Sequence, residues 1–400
     1  MNEIPTLSAT RQAELVRLGQ ISSLELVRSH LERIAEIQPA LGAAVEVLAE
    51  SAEAEARAAD EAVASGEEVG PLHGVPFSAP PSTADAVVEA RLRAAGAIPI
   101  ARPSGGGNGG DAALVAACGS PMGLASDGAG CLRLSAAFSG VAALKPTSGR
   151  VPHTGHVPPA GGWIEALWQI GPMARQVDDL RTAMALLSGV DGCDPSVVDM
   201  GFPDPWEVSL GRLRVAWYTD NGIAAAGPEV AQVVRAAAHS LEDNAAAVEE
   251  ARPACLERAY DLEMKLLGAD GGDALRGAPP FLSAWLDRLP PYRIDLAGLQ
   301  ACWADWDLYR AQLLGFLRYF DVILCPAYPE AAPVDDPRAF SHTIAYNVAG
   351  WPAAVVRCGE TDAGLPIAVQ IAAPPWREDI ALAVAGALEQ IFGGWKAPAL

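Results

Sequence analysis

Short apolar runs alternate with helical segments near the start of this chain, and this alternation constrains the fold more than any other feature. Residues 75–78 and 97–101 have the composition of strands, and residues 84–95 between them have the spacing of a helix that ends at Gly96. A strand, a helix and a second strand in this order form a parallel pair, with the helix packed on one face. The pattern predicts an α/β protein with a mixed, largely parallel central sheet.

Helices are also predicted on either side of this unit. Ser22 and Glu25 have the spacing of a capping box and are followed by apolar residues at helical intervals, which predicts a helix over residues 24–36. An alanine-rich helix is predicted over residues 51–64. A long helix is predicted over residues 299–320, with an apolar stripe formed by Trp303, Leu313, Phe316 and Phe320.

Composition and charge exclude several classes of protein. Half of the residues are hydrophobic, and the 39 glycines and 32 prolines are scattered, which indicates a compact fold rather than disorder. The formal net charge of −21 makes nucleic acids and anionic membrane surfaces poor partners. Residues 1–12 do not resemble a signal peptide, and no run approaches the about 18 apolar residues of a membrane span. We therefore expect a cytoplasmic protein without a membrane partner.

The cysteines and the glycine-rich loop at residues 105–110 predict no cofactor and no metal. Seven cysteines at irregular spacing, without a C-x-x-C pair, are typical of reduced thiols rather than of disulfides or a zinc site. Apart from Cys131, we expect them to fill apolar space. The glycine-rich loop lacks the G-K-[ST] ending of a phosphate-binding loop, which argues against nucleotide binding.

The most specific motif is the segment at residues 126–151, S-D-G-A-G-C-L-R-L-S-A-A-F-S-G-V-A-A-L-K-P-T-S-G-R-V. It resembles, without a gap, the signature segment of the amidase signature family of serine hydrolases, D-x-G-G-S-x-R-x-P-A-x-x-x-G-x-x-G-L-K-P-T-x-G-R. The resemblance implies the amidase signature fold, a three-layer α/β/α arrangement, and chemistry at an amide or ester carbonyl.

The resemblance fails at the three catalytic positions of that family. Cys131 stands where the family has its nucleophilic serine. The segment L-H-G-V-P-F-S at residues 72–78 resembles the one that leads into the catalytic lysine, but Pro80 follows here and no lysine is present. The loop G-G-G-N-G-G-D at residues 105–111 resembles the one with the relay serine, and Gly107 takes its place.

The resemblance also suggests how the chain is organised, as a single amidase-signature-like domain over residues 1–400. We expect N-terminal helices over residues 1–70 and the signature core over residues 71–195. Residues 196–312 match no motif and are expected to form a variable substrate pocket. Closing strands and a C-terminal helix are expected over residues 313–400.

Two interpretations of Cys131 remain open at this point. A thiol is intrinsically more nucleophilic than a hydroxyl, so Cys131 is a candidate nucleophile even without strong assistance. By the resemblance, the backbone N–H groups of Gly128, Ala129 and Gly130 would stabilise the oxyanion. The alternative is that Cys131 is a small buried filler at a position that no longer supports catalysis.

Other polar residues near the signature have weaker assignments. His153 and His156 follow it closely and are candidate replacement bases, although the sequence favours a structural or solvent-facing role for each. Asp127 and Arg133 are predicted, by the resemblance, to form a structural pair that holds the loop carrying Cys131.

These observations predict a divergent enzyme rather than a conventional amidase. The expected reaction is acyl transfer, cyclisation or hydrolysis of an activated ester or thioester at Cys131, in a biosynthetic pathway. The expected partner is a small-molecule or carrier-bound acyl substrate. Two alternatives remain: a repurposed pocket that acts as a cyclase without covalent catalysis, and a non-catalytic partner of another enzyme.

Overall fold

A computed structural model describes residues 4–80, 86–104, 109–156, 162–275 and 286–398. The α-helices in these ranges are α1 (Ala9–Arg17), α2 (Ser23–Leu41), α3 (Ala49–Ser65), α4 (Val87–Ala94), α5 (Gly110–Ala116), α6 (Cys131–Ser139), α7 (Val177–Leu187), α8 (Pro228–His239), α9 (Ala259–Gly268), α10 (Leu296–Phe316), α11 (Ser341–Ala349) and α12 (Glu378–Phe392). The strands are β1 (Ala44–Val47), β2 (Pro76–Ser78), β3 (Ile98–Pro103), β4 (Met122–Asp127), β5 (Ala142–Lys145), β6 (Gln169–Ala174), β7 (Arg214–Trp217), β8 (Ala247–Glu250), β9 (Val322–Pro326), β10 (Ala353–Glu360) and β11 (Pro366–Ala372).

The strands form one sheet of 11 strands in the order β1-β3-β2-β4-β6-β5-β10-β11-β9-β7-β8. Strand β2 runs parallel to β3 and β4, and β7 runs parallel to β8 and β9. The predicted α/β class with a mixed sheet is confirmed. The parallel share is smaller than expected, however, because the six other neighbouring pairs of the described strands are antiparallel. A short turn joins β10 to β11, and such a connection permits only antiparallel pairing.

The predicted βαβ unit is present as β2, α4 and β3, with β2 and β3 parallel. The capping box of α2 is also present, because the Ser22 and Glu25 side chains each accept a hydrogen bond from the other's backbone N–H over 3.0 Å. Helix α10 ends earlier than predicted. Trp303, expected in its apolar stripe, is 42% exposed, whereas Leu313 is fully buried.

Alternate residues of β5 face opposite sides of the sheet, as the period of a strand requires. Ala142 and Leu144 belong to an apolar cluster that includes residues of α7 and α12. Ala143 belongs to another cluster that includes residues of α5 and α6. The sheet therefore lies between helices on both faces, with α5 and α6 on the face of Ala143 and with α7 and α12 on the other. None of the described helices is long and apolar enough to cross a membrane.

Candidate active site

A tight turn between β4 and α6 carries Cys131. Strand β4 ends at Asp127, and α6 begins at Cys131 only four residues later. Gly130, just before the helix, has a φ of 120°, and a Cβ atom there would lie 2.3 Å from Thr343 Oγ1. Residues with a side chain rarely adopt this φ. The turn therefore requires glycine at this position, and it places Cys131 at the amino end of a helix.

Asp127 and Arg133 form an ion pair whose side chains are both fully buried. Arg133 Nε donates to Asp127 Oδ2 and Nη2 donates to Oδ1, each over 2.8 Å. Asn347 Nδ2 donates to Asp127 Oδ1 over 2.9 Å. Burial alone would raise the pKa of Asp127, but the charge of Arg133 and these hydrogen bonds bring it below its ordinary value. Asp127 Oδ1 also accepts the Gly130 N–H over 2.8 Å, so the ion pair holds the turn in place.

Cys131 is half-buried and lines a cavity of about 40 Å³. The lining residues are Gly128, Ala129, Cys131, Trp168, Leu267, Leu275, Leu286 and Leu289. The cavity wall is therefore apolar, as is usual for pockets that bind small organic groups. Its four leucines come from the stretch at residues 196–312, in which the sequence carries no recognisable motif.

The surroundings of Cys131 keep its thiol protonated. Burial raises the pKa of Cys131 to about 12, and the negative charge of Asp127 acts in the same direction. The positive charge of Arg133 and hydrogen bonds with the backbone of Cys131 and Gly128 oppose this rise without cancelling it. The resting site therefore contains a thiol, close to backbone groups that favour negative charge.

A family model described as Amidase matches residues 25–79, 100–287 and 292–382. The chain belongs to the amidase signature family. Residues 80–99, which the match leaves out, begin at the position where the family's lysine would be expected. The inferred family and fold are therefore confirmed. The gap in the match begins at Pro80, the position at which the family's lysine is absent.

Curated relatives of this amidase signature protein match along nearly all of its length. A subunit of a glutamyl-tRNA(Gln) amidotransferase from Roseiflexus sp. (strain RS-1) is 30% identical over 476 aligned positions, covering 96% of this chain and 96% of the relative. Fatty-acid amide hydrolase 2 from Homo sapiens is 26% identical, covering 98% of this chain and 90% of the relative.

Solved structures confirm the fold of the amidase signature protein. A fatty acid amide hydrolase superposes with a TM-score of 0.87 at 22% identity, covering 98% of this chain and 86% of that chain. A 6-aminohexanoate cyclic dimer hydrolase in complex with substrate superposes with a TM-score of 0.83 at 23% identity, covering 97% of each chain.

Pro80 stands at the position of the family's lysine, and Gly107 at the position of its relay serine. Pro80 is half-buried and lies just beyond the end of β2, whereas Gly107 lies outside the described residues. Each lysine of this amidase signature protein has a partner elsewhere. Lys145 Nζ donates to the carbonyl of the next residue over 3.0 Å, while Lys265 pairs with a carboxylate on α9 and Lys396 with Glu360.

The two candidate bases lie together in a turn after the signature. The backbone N–H of His156 donates to the His153 carbonyl over 2.9 Å. The ring of His153 faces Glu165, with 3.5 Å between Nδ1 and Oε1. Burial, and to a lesser extent the neighbouring His153, lower the pKa of His156 to about 4. Within the described part of the chain, neither ring is hydrogen-bonded to Cys131, so their role as bases stays a prediction.

Two residues near the site were not identified from the sequence. Trp168 lies directly before β6 and forms part of the cavity wall, with no motif of its own to mark it. Glu263 is fully buried on α9, one turn before Leu267 of the cavity, and neither carboxyl oxygen has a partner among the described residues. Burial raises the pKa of Glu263 well above its ordinary value.

One expectation about the other cysteines is wrong. Cys193 does not fill apolar space, because its side chain is exposed in the loop after α7. The five others, Cys118, Cys255, Cys302, Cys325 and Cys358, are buried as expected.

Proposed function

We propose that this amidase signature protein transfers or hydrolyses activated acyl groups, with Cys131 as the nucleophile and an ester or thioester as the substrate. The observation that carries the proposal is the position of Cys131, at the amino end of α6 and in the wall of an apolar cavity. The relatives named as amide hydrolases and amidotransferases support chemistry at an acyl carbonyl.

The proposed reaction begins with attack of Cys131 Sγ on the substrate carbonyl carbon. The bond to the leaving alcohol or thiol breaks, an acyl thioester forms on Cys131, and the cysteine proton leaves with the departing group. Water or another nucleophile then attacks the thioester and regenerates the thiol. When that nucleophile belongs to the acyl chain itself, the product is cyclic.

The surroundings of Cys131 favour activated substrates over simple amides. A thiol with a pKa of about 12 is almost entirely protonated at neutral pH, and a positioned general base, which typically contributes about 10²–10⁴-fold in rate, is missing at Pro80. A good leaving group compensates in part because it takes up negative charge without prior protonation. The backbone hydrogen bonds at Gly128 and Cys131 favour negative charge at this position and support the same step.

The lining of the cavity supports an apolar acyl group. Leu267, Leu275 and Leu289 are buried leucines that face the same space as Cys131. Transfer of an apolar acyl chain from water to such a surface is favourable, whereas transfer of a charged chain is not. A charge placed in the wall, as in Leu267→Arg, is therefore expected to abolish acylation while leaving Cys131 in place.

Intact-protein mass spectrometry tests the proposal directly. The protein is incubated with acetyl, butyryl and octanoyl thioesters of N-acetylcysteamine, and the mass of the acyl adduct is followed with time. We expect an adduct on the wild-type protein and on Cys193→Ser, and none on Cys131→Ala. An adduct that persists in Cys131→Ala, or one that depends on the exposed Cys193, contradicts the proposal.

A second candidate function is a pocket that binds and folds a reactive substrate without covalent catalysis. The raised pKa of Cys131 favours it, since a protonated thiol is a weak nucleophile. In that case Cys131→Ala keeps its turnover, whereas Leu267→Arg loses it. A third outcome, no turnover with any acyl donor together with a stable complex on co-purification, would indicate a non-catalytic partner protein.

A further inference from the structure

Three separate segments of the chain bring one histidine and two carboxylates close together. The groups are His153, Glu165 and Asp194, and their nitrogen and oxygen ligand atoms all lie within 4.8 Å of one another. His153 Nδ1 is 3.5 Å from Glu165 Oε1. The backbone N–H of His153 donates to Asp194 Oδ2 over 2.8 Å, so Asp194 is fixed to the same turn.

The histidine of this cluster is buried without a hydrogen-bond partner. His153 is 9% exposed, and neither ring nitrogen is hydrogen-bonded to any of the described residues. An imidazole that is removed from water without a partner loses the free energy of its lost hydration. His153 Nδ1 nevertheless lies only 3.5 Å from the carboxylate oxygen Oε1 of Glu165. Neighbouring ligand atoms in a tetrahedral zinc site are about 3.3 Å apart, which is a similar distance.

We propose that His153, Glu165 and Asp194 bind a divalent transition-metal ion. One imidazole nitrogen and two carboxylate oxygens are ligands that zinc and its neighbours in the first transition series accept, and three protein ligands leave further positions for water. A cation placed between the two carboxylates also removes their mutual repulsion. The ligand atoms need to approach one another by up to about 1.5 Å, which rotation of Glu165 and Asp194, both only partly buried, can supply.

The site would stabilise the connection between the signature core and the cavity wall. Glu165 belongs to a short 3₁₀ helix, Gly162–Leu167, and Trp168 of the cavity follows directly. The backbone N–H of Trp168 donates to the Glu165 carbonyl over 3.2 Å. A metal ion on Glu165 therefore joins this helix to the turn at His153. The sequence shows no metal motif here because the three ligands are far apart along the chain.

Zinc binding to the full-length protein tests the proposal. After treatment with a chelator and its removal, zinc sulfate is titrated by isothermal calorimetry, and cobalt(II) is titrated separately while its visible absorption is followed. We expect one ion per chain in the wild type. Glu165→Gln and Asp194→Asn keep the shape of each side chain and remove one charged ligand. Each is expected to weaken zinc binding at least about tenfold.

Two control variants distinguish zinc binding at this cluster from nonspecific zinc binding by surface groups. Cys193 is an exposed thiol next to Asp194, and His239 forms an exposed pair with Glu242 that has no third ligand among the described residues. Cys193→Ser and His239→Gln are therefore expected to bind zinc as the wild type does. Zinc should also raise the unfolding temperature of the wild type and not that of Glu165→Gln. Failure of the wild type to bind zinc, or binding that is lost in Cys193→Ser and kept in Glu165→Gln, would overturn the proposal.

Discussion

The ring of Trp168 lies against the backbone of Gly128, so closely that a Cβ atom on Gly128 would be 2.5 Å from Trp168 Cε3. These two residues form adjoining parts of the cavity wall beside Cys131. Contacts under 3.0 Å from a Cβ atom are essentially never observed. Glycine at this position is therefore required by the contact with the tryptophan, and the shape of the cavity depends on both residues.

The substitution Gly128→Ala is expected to displace the Trp168 ring and to destabilise the protein by about 1–3 kcal/mol, the usual cost of overpacking a dense site. Urea unfolding measures the loss of stability. Gly315→Ala is the matched control, because nothing lies within 4 Å of a Cβ at that helical position. Equal stability of the two variants would show that the contact with Trp168 is not constraining.

The buried ion pair between Asp127 and Arg133 leads to a second prediction. Asp127→Asn leaves the Arg133 charge buried without its counter-ion, and breaking such a pair typically costs about 3–5 kcal/mol. Asp336→Asn, in an exposed pair with Arg338, is the matched control and should change stability by less than about 0.5 kcal/mol. Chemical unfolding of both variants at pH 7 gives the comparison. A small effect of Asp127→Asn would mean that water or another group replaces the carboxylate.

The sequence predicts those parts of the site whose residues lie close together along the chain. The turn from Asp127 to Arg133 sits in one uninterrupted segment, so its local pattern carries both the family resemblance and the order of strand, turn and helix. The capping of α2 is predictable for the same reason, since Ser22 and Glu25 are three residues apart.

Features that depend on contacts between distant segments are not predictable from the sequence. Trp168 and Leu267 meet at the cavity although 99 positions separate them, and their meeting depends on where α9 packs. The raised pKa of Cys131 follows chiefly from its burial, which likewise depends on how the folded chain packs around it. The predicted share of parallel strand pairs is too high because the sequence shows which elements occur but not the order in which they join the sheet.

Lys145 provides a prediction about the pH dependence of stability. Burial lowers the pKa of Lys145 to about 7 from 10.5, with Arg133 acting in the same direction and Asp127, Glu378 and Glu263 opposing it. Between these two values the unfolded chain binds a proton that the folded protein lacks, so the free energy of unfolding rises with pH by up to about 1.4 kcal/mol per unit. Below the folded value both states are protonated, and this contribution to the slope disappears.

The variant Lys145→Met isolates this contribution to the pH dependence. The free energy of unfolding of the wild type minus that of the variant should increase from pH 7 to pH 10, measured by urea unfolding at each pH. Lys396→Met removes an exposed lysine and is the matched control, for which we expect a nearly constant difference. A constant difference for Lys145→Met as well would contradict the lowered pKa.

The order in which cysteines react with electrophiles provides the last prediction. The sequence makes Cys131 a candidate nucleophile, but its pKa of about 12 leaves about one thiol in 10⁴ ionised at pH 8. Iodoacetamide, which reacts with thiolates and has no affinity for an apolar cavity, should therefore modify the exposed Cys193 well before Cys131. Peptide mass spectrometry of a time course at pH 8 measures both rates. In Cys193→Ser the label on residue 193 should disappear, and Cys131 should not be labelled faster. Rapid modification of Cys131 in either protein would show that its thiolate is far more stable than its burial beside Asp127 implies.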